Sequence, residues 1–112
     1  MLYNNSIENK EVIKMKKHIF MVGLKDKDQK KQVLTKSTYL KTIFEVCGDC
    51  TISDAVGYYT HTDGTSIKEP SLRVEMLFKN DNEIQPMADR LKVRLNQESI
   101  GYDFYETNPQ LL

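Results

Sequence analysis

The sequence predicts an α+β domain of the ferredoxin-like type, a β-α-β-β-α-β sandwich in which a four-stranded antiparallel sheet carries two helices on one face. Three observations predict it. A continuous apolar run occupies residues 18–24, two later segments repeat apolar residues at helical spacing, and a turn signal separates two segments rich in strand-forming residues. A chain of 112 residues has room for one core, so we expect one domain.

The first strand is predicted at residues 18–24, because a strand that is apolar throughout is typical of the middle of a sheet. The preceding residues 1–16 are polar and are interpreted as a flexible N-terminal extension. We therefore assign residues 17–107 to the domain and residues 108–112 to a frayed tail.

The first helix is predicted from apolar residues at positions i, i+3, i+4 and i+7, namely Leu40, Ile43, Phe44 and Cys47. Thr35 or Ser37 is expected to cap its N-terminus. Gly48 is expected to end it, because glycine adopts the left-handed conformation freely.

The second and third strands are predicted at residues 51–60 and 72–78. The Asp63-Gly64 pair between them favours a tight turn, so these strands should be antiparallel neighbours. Pro70 is expected to mark the start of regular pairing, since proline donates no hydrogen bond to the ladder.

The second helix is predicted from a capping box, Asn82 with Gln85, and from the apolar repeat Ile84, Met87, Ala88, Leu91 and Leu95. Pro86 is expected in its first turn. An edge strand is predicted at residues 100–106. Right-handed crossovers then leave the first and third strands in the centre of the sheet.

The charge balance argues against polyanionic partners. Sixteen Lys plus Arg match sixteen Asp plus Glu, so no net charge attracts nucleic acid or a membrane surface. No apolar stretch is long enough to cross a membrane and no export signal is present, so the prediction is a cytoplasmic protein with reduced cysteines. Frequent lysine and asparagine favour a low-GC bacterium or one of its mobile elements as the source.

One hairpin pattern carries a resemblance to a known family. Asp54-Ala-Val-Gly-Tyr58, Asp63-Gly64 and Glu69-Pro70-Ser71 together resemble a pattern in an uncharacterised family of small bacterial proteins, where a DA-x-G strand leads through a DG turn into an EPS strand. The match covers about 20 of the 112 residues. Because that family has no assigned activity, the resemblance implies a fold and no catalytic residue.

Cys47-Gly-Asp-Cys50 is a C-x-x-C motif. Thiolates are stabilised at helix N-termini, whereas this pair falls at a predicted helix C-terminus, so we expect Cys47 in the core and Cys50 in a strand. The alternatives are a labile disulfide or a metal site, and zinc would need two further ligands. No cofactor or metal is predicted.

Two groups of residues are candidate functional sites. His61, Asp63 and Glu69 surround the hairpin and could hold a cation or act as acid and base, although turn chemistry and surface exposure also account for them. Phe20, Tyr59, Leu77 and Tyr105 are candidate interface residues, because the sheet face opposite the helices is predicted to be apolar and uncovered. The third strand lacks the aromatic pattern of RNA-binding sheets.

These observations favour a non-enzymatic protein-interaction or regulatory module, acting as a homodimer through the open sheet face or engaging another protein partner. The alternative is a small-molecule-binding protein or enzyme. Its site would be a sheet-on-sheet cavity of the dimer lined by Tyr59, Glu75 and His18. Catalysis is the less favoured hypothesis, because no nucleophile, phosphate loop or buried carboxylate pair accompanies the hairpin residues.

Overall fold

The computed structural model describes residues 15–60 and 62–112, without the side chain of Tyr59. Most of the predicted N-terminal extension, residues 1–14, lies outside this range. The elements are β1 (Met15–Gly23), α1 (Lys36–Cys47), β2 (Thr51–Thr60), β3 (Ser66–Met76), α2 (Asp81–Arg94) and β4 (Gly101–Thr107). The predicted β-α-β-β-α-β order is confirmed. Within the described range, no helix has the length and apolar character to cross a membrane.

The four strands form one antiparallel sheet in the order β2-β3-β1-β4. The prediction that the first and third strands are central is therefore confirmed. In the ladder, Val74 of β3 lies opposite Phe20 of β1, and Tyr102 of β4 lies on the other side of Phe20. Because side chains alternate along a strand, the register determines which residues share a face.

The core lies between the sheet and both helices. One face of the central strands supplies Phe20, Val22, Leu72, Val74 and Met76, each fully buried against the helices. This placement corrects the expectation that Phe20 is part of an exposed interface. Phe20 points to the helix side of the sheet, where its ring is removed from solvent.

Helix α1 begins and ends where the sequence predicts, but a different face is buried. The Thr35 hydroxyl accepts a hydrogen bond from the Thr38 backbone N–H at 3.2 Å, and Gly48 has a φ of 70°. The helix buries Tyr39, Ile43 and Cys47 against the sheet. Leu40 and Phe44 are exposed to solvent, and Phe44 is 62% exposed. The prediction is confirmed at Ile43 and Cys47 and wrong at Leu40 and Phe44, because Tyr39 and Thr42 occupy the core on that side of the helix.

Helix α2 begins two residues earlier than predicted. Its capping box is formed by Asn80 and Glu83, with the Glu83 carboxylate accepting from the Asn80 backbone N–H at 2.7 Å. Pro86 therefore lies past the first turn, inside the helix. The predicted core positions Ile84 and Met87 are buried, so the apolar period was correct although the helix start was not.

The sheet face opposite the helices, called here the open face, is charged, which corrects the expectation of an apolar surface. Glu75 accepts a hydrogen bond from Arg73 Nε at 2.8 Å and lies 3.2 Å from Lys17 Nζ. Ile19 pairs with Glu75 on one side and Asp103 on the other, and it is only 3% exposed. Long charged side chains therefore cover the apolar residue that β1 contributes to this face.

Candidate functional site

The structure describes two of the three residues predicted to form a hairpin site, Asp63 and Glu69. His61 lies outside the described residues. Asp63 is engaged by its own turn, because its Oδ1 accepts a hydrogen bond from the Thr65 backbone N–H at 2.9 Å, which lowers the pKa of the carboxyl. Glu69 lies further along β3, on the open face. We therefore consider Glu69 without Asp63.

Glu69 sits beside glycines on two neighbouring strands. Across the ladder it pairs with Gly57 of the edge strand β2. On the other side, its Oε2 atom lies 3.1 Å from the position that a Cβ on Gly23 would occupy, and Gln97 Oε1 lies 3.5 Å from the same position. The carboxylate therefore occupies space that a side chain at Gly23 would otherwise fill.

An open pocket of about 780 Å³ surrounds this carboxylate at the end of the sheet. We call it the Glu69 pocket. Strands β1 and β3, the loop after β1 and the connection from α2 to β4 supply its walls. They contribute Met21, Gly23, Lys25, Asp26, Lys27, Lys30, Ile67, Glu69, Ser71, Gln97, Glu98, Ser99 and Gly101. Its volume is within the range of small-molecule sites.

The loop after β1 is held to the connection between α2 and β4 by side-chain hydrogen bonds. Asn96 Nδ2 donates to Asp26 at 2.8 Å and to Asp28 at 3.0 Å. The hydrogen bond from Asn96 is the main cause that lowers the pKa of Asp26, followed by one from the Gln29 backbone N–H. This wall of the pocket is therefore fixed by contacts between segments about 70 residues apart.

Gln97 also stabilises this wall of the pocket through hydrogen bonds. It is 7% exposed, and its Nε2 donates to the Lys25 carbonyl at 3.0 Å and reaches the Tyr39 hydroxyl at 3.4 Å. Burial raises the pKa of Tyr39, so its hydroxyl stays neutral. The sequence analysis did not single out Gln97 or Gly23, because neither belongs to a motif. A glycine ending an otherwise apolar strand was the available signal for Gly23.

Both signs of charge border the pocket. Lys25, Lys27 and Lys30 come from the loop after β1, while Glu69 and Glu98 come from β3 and the last connection. Between them lie the small residues Gly23, Ser71 and Gly101, with the Glu69 carboxylate close to Gly23 and Met21 Cβ close to Gly101. This arrangement suits a ligand that has a flat uncharged part and a charged end.

The C-x-x-C motif has no sign of redox activity. Cys47 is 1% exposed, which confirms it as a core residue, and burial raises the pKa of its thiol to about 11. Burial also raises the pKa of the half-buried Cys50. Thiolates are therefore disfavoured at both positions. Within residues 15–60 and 62–112, no cluster of three or more His, Cys, Asp or Glu side chains could hold a metal ion.

The candidate interface residues are scattered. Tyr105 lies on β4, 45% exposed, with its ring 5.6 Å from Lys17 Nζ. Leu77 follows β3 and is half-buried, and the side chain of Tyr59 is not among those described. With Phe20 in the core, these residues do not form one apolar patch.

The cavity predicted to be lined by Tyr59, Glu75 and His18 is not formed as expected. His18 lies on the helix side of the sheet, fully buried, with Nδ1 2.6 Å from the Tyr102 hydroxyl. Glu75 lies on the opposite face, where Arg73 and Lys17 lower its pKa. Strand alternation keeps the two side chains on different faces.

Comparisons with known proteins point to one kind of enzyme. No protein-family model matches this chain, and neither does any curated protein. Among solved structures, it is similar to phage SAM lyase in the apo state, with a TM-score of 0.62 and 16% identity over 99% of each chain. It is also similar to phage SAM lyase in complex with S-methyl-5'-thioadenosine, with a TM-score of 0.57 and 18% identity over 85% of this chain and 90% of that one.

At these identities the similarity establishes a shared fold. It also corrects the leading functional expectation, since both neighbours are enzymes and neither is a non-enzymatic interaction module. The alternative, a small-molecule-binding protein or enzyme, agrees better with these neighbours and with a pocket of ligand size.

Proposed function

We propose that this protein is a SAM lyase, which cleaves S-adenosylmethionine (SAM) and releases S-methyl-5'-thioadenosine from the Glu69 pocket. One observation carries the proposal: the Glu69 carboxylate lies beside small residues in a pocket of ligand size. The fold around that pocket is shared along 99% of the chain with a phage SAM lyase. Fold alone would not support a function, so the pocket chemistry has to agree with the substrate.

The charges around the pocket match the parts of SAM. Its nucleoside is flat and uncharged, and its amino-acid chain ends in a carboxylate and an ammonium group. The small residues Gly23 and Ser71, next to the Glu69 carboxylate, suit the nucleoside. The lysines of the loop after β1 suit the carboxylate, because ammonium groups bind carboxylates by charge-assisted hydrogen bonds.

Glu69 is the residue to which we assign nucleoside binding. An ionised carboxylate only accepts hydrogen bonds, and the ribose of SAM offers two neighbouring hydroxyl donors. A bond of this kind to a charged acceptor contributes about 1.5–3 kcal/mol. S-methyl-5'-thioadenosine has the same ribose, so Glu69 would contact both substrate and product.

In this reaction the protein has to hold the substrate in a reactive conformation, and it does not have to supply a nucleophile. The bond between the sulfonium sulfur and the amino-acid chain breaks, both electrons stay on sulfur, and sulfur leaves as a neutral thioether. A lyase adds no water, so the substrate itself supplies the new bond: its carboxylate oxygen bonds to the carbon that sulfur leaves, which closes a lactone with no proton gained or lost. Holding both ends of SAM in one conformation favours such an intramolecular step.

The test is to incubate the purified protein with SAM and follow S-methyl-5'-thioadenosine by chromatography and mass spectrometry. We expect that product together with an amino-acid product that carries no added water. Glu69→Gln should bind S-methyl-5'-thioadenosine about tenfold or more weakly, in line with the loss of a charged hydrogen-bond acceptor.

Asp49→Asn is the matched control, because Asp49 is an exposed carboxylate that does not line the Glu69 pocket. It should leave the reaction unchanged. Absence of S-methyl-5'-thioadenosine with the wild-type protein would refute the proposal. Incorporation of one oxygen from H₂¹⁸O into the hydroxyl group of the amino-acid product would replace a lyase with a hydrolase, whereas ¹⁸O in its carboxyl group comes from later opening of a lactone.

A further inference from the structure

Gly57 is an unexpected residue for its position. It lies in the interior of the edge strand β2, where glycine lowers stability and supplies no packing surface. The ladder is regular through it, with Val56 opposite Pro70, Gly57 opposite Glu69 and Tyr58 opposite Lys68. No bulge therefore explains the glycine.

Backbone conformation and packing do not explain it either. Among the glycines, a positive φ occurs at Gly48 and Gly64 only, so Gly57 has a conformation open to any residue. A Cβ at Gly57 would meet the Glu69 carbonyl oxygen at 3.8 Å and Ser71 Oγ at 4.0 Å, both ordinary contacts. By contrast, a Cβ at Gly23 or Gly101 would have a neighbour within 3.2 Å. Among the described side chains, which do not include that of Tyr59, there is thus room for alanine at position 57.

The vacant position faces the open side of the sheet. Leu72 and Val74 of β3 are in the core, so the alternating residues Glu69 and Ser71 point the other way, and Gly57 shares their face as the cross-strand partner of Glu69. The gap at Gly57 is therefore next to the residue to which nucleoside binding is assigned. Glycine in a strand often marks the place where a ligand approaches the backbone closely.

We infer that Gly57 is a specificity-determining residue, at which the flat nucleoside part of the substrate lies directly against the backbone of β2 beside Glu69. This inference rests on the proposed function. The peptide plane at a glycine is flat and accessible, whereas a methyl group there would stand between the ligand and the sheet. Gly57 does not line the Glu69 pocket but adjoins it across Glu69. A nucleoside bound beside Gly23 and Ser71 would therefore reach Gly57 by extending past Glu69, while the charged end of SAM is directed to the lysines of the loop after β1.

The test uses Gly57→Ala and Gly57→Val, with titration calorimetry of S-methyl-5'-thioadenosine and thermal unfolding of each protein. This probe contains the nucleoside and lacks the amino-acid chain. We expect Gly57→Ala to unfold at the wild-type temperature or above it, while its affinity falls about tenfold or more. Gly57→Val should bind still more weakly.

Ser53→Thr is the matched control. Ser53 is exposed on the same face of β2, four residues away at about 3.3 Å per residue, and the substitution also adds one carbon and strand propensity. It should bind the probe as the wild type does. The inference is supported if the position 57 variants bind S-methyl-5'-thioadenosine more weakly without loss of stability and Ser53→Thr binds it as the wild type does.

Three results would overturn it. Gly57→Ala with unchanged affinity would remove the steric argument, and Gly57→Ala with a lower unfolding temperature would show that the fold needs the glycine. A changed molar mass in light scattering, with affinity intact, would assign the gap to a contact between copies. Failure of the wild type to bind the probe or cleave SAM would instead refute the proposed function, which is measured separately.

Discussion

The Oε2 atom of Glu69 lies 3.1 Å from the position where a Cβ on Gly23 would stand. The two residues come from different strands, β3 and β1, and no hydrogen bond between them is needed for this relationship to matter. A side chain at position 23 would require the carboxylate to move by a few tenths of an ångström. The conformation of Glu69 therefore depends on the glycine.

Gly23→Ala should reduce ligand binding with little effect on stability. The atom that must shift is the end of a flexible side chain, so the free energy of unfolding should change by about 0.5 kcal/mol or less. The displaced carboxylate should lower the affinity for S-methyl-5'-thioadenosine several-fold, as measured by calorimetry. Unaltered affinity would mean that the carboxylate position is unimportant.

Asn96 provides a test of the pocket wall. It has a φ of 50° and its amide binds Asp26 and Asp28. Asn96→Gly keeps the backbone conformation and loses the amide, whereas Asn96→Ala loses the amide and strains the backbone. Both should raise KM for SAM and lower the unfolding temperature, and Asn96→Ala should lower it by several degrees more than Asn96→Gly. Equal stability of the two variants would contradict the role of the positive φ.

The open face should make stability depend on pH in the acid range. Hydrogen bonds from Arg73 and then Lys17 lower the pKa of Glu75 below its usual value of 4.5. The ionised form is favoured in the folded state, so this stabilisation is present above pH 4.5 and is lost as the pH falls through the lowered pKa. Glu75→Gln should unfold at a lower temperature than wild type at pH 7 and at nearly the same temperature at pH 3. The same difference in unfolding temperature between wild type and Glu75→Gln at both pH values would argue against the ion pairs of Glu75.

The two cysteines should differ in reactivity towards a disulfide reagent. Cys47 is buried with a thiol pKa of about 11, whereas Cys50 is half-buried. We expect native protein to release one equivalent of chromophore slowly from Cys50 and unfolded protein to release two. Cys50→Ser should abolish the native signal and leave SAM cleavage unchanged. Rapid labelling of both thiols in the native state would contradict the burial of Cys47.

Self-association through the open face remains a prediction. Light scattering coupled to size-exclusion chromatography should give a mass above the 13.0 kDa of one chain. Tyr105→Glu adds a charge to that face and should lower the mass, while Tyr58→Glu, at a 73% exposed residue on the helix side of β2, should not. A wild-type monomer would refute the prediction. Phe20 cannot serve in this test, because replacing a core residue would unfold the domain.

The sequence by itself determined the order of the elements, the central position of β1 and β3, and the hairpin at Asp63-Gly64. These features follow from local period, turn chemistry and the handedness of crossovers, which short segments carry on their own. The N-cap at Thr35 and the end of α1 at Gly48 were predictable for the same reason.

The tertiary structure alone decided which face each residue occupies and which distant residues meet. Strand pairing turned Phe20 towards the helices and Glu69 towards the open face, and a shift of one residue would have reversed both. The Glu69 pocket depends on Gly23, Gln97 and the Asn96 contacts, which join segments far apart in the chain. No local pattern encodes such a site, because the free energy of its assembly comes from packing of the whole sheet and both helices.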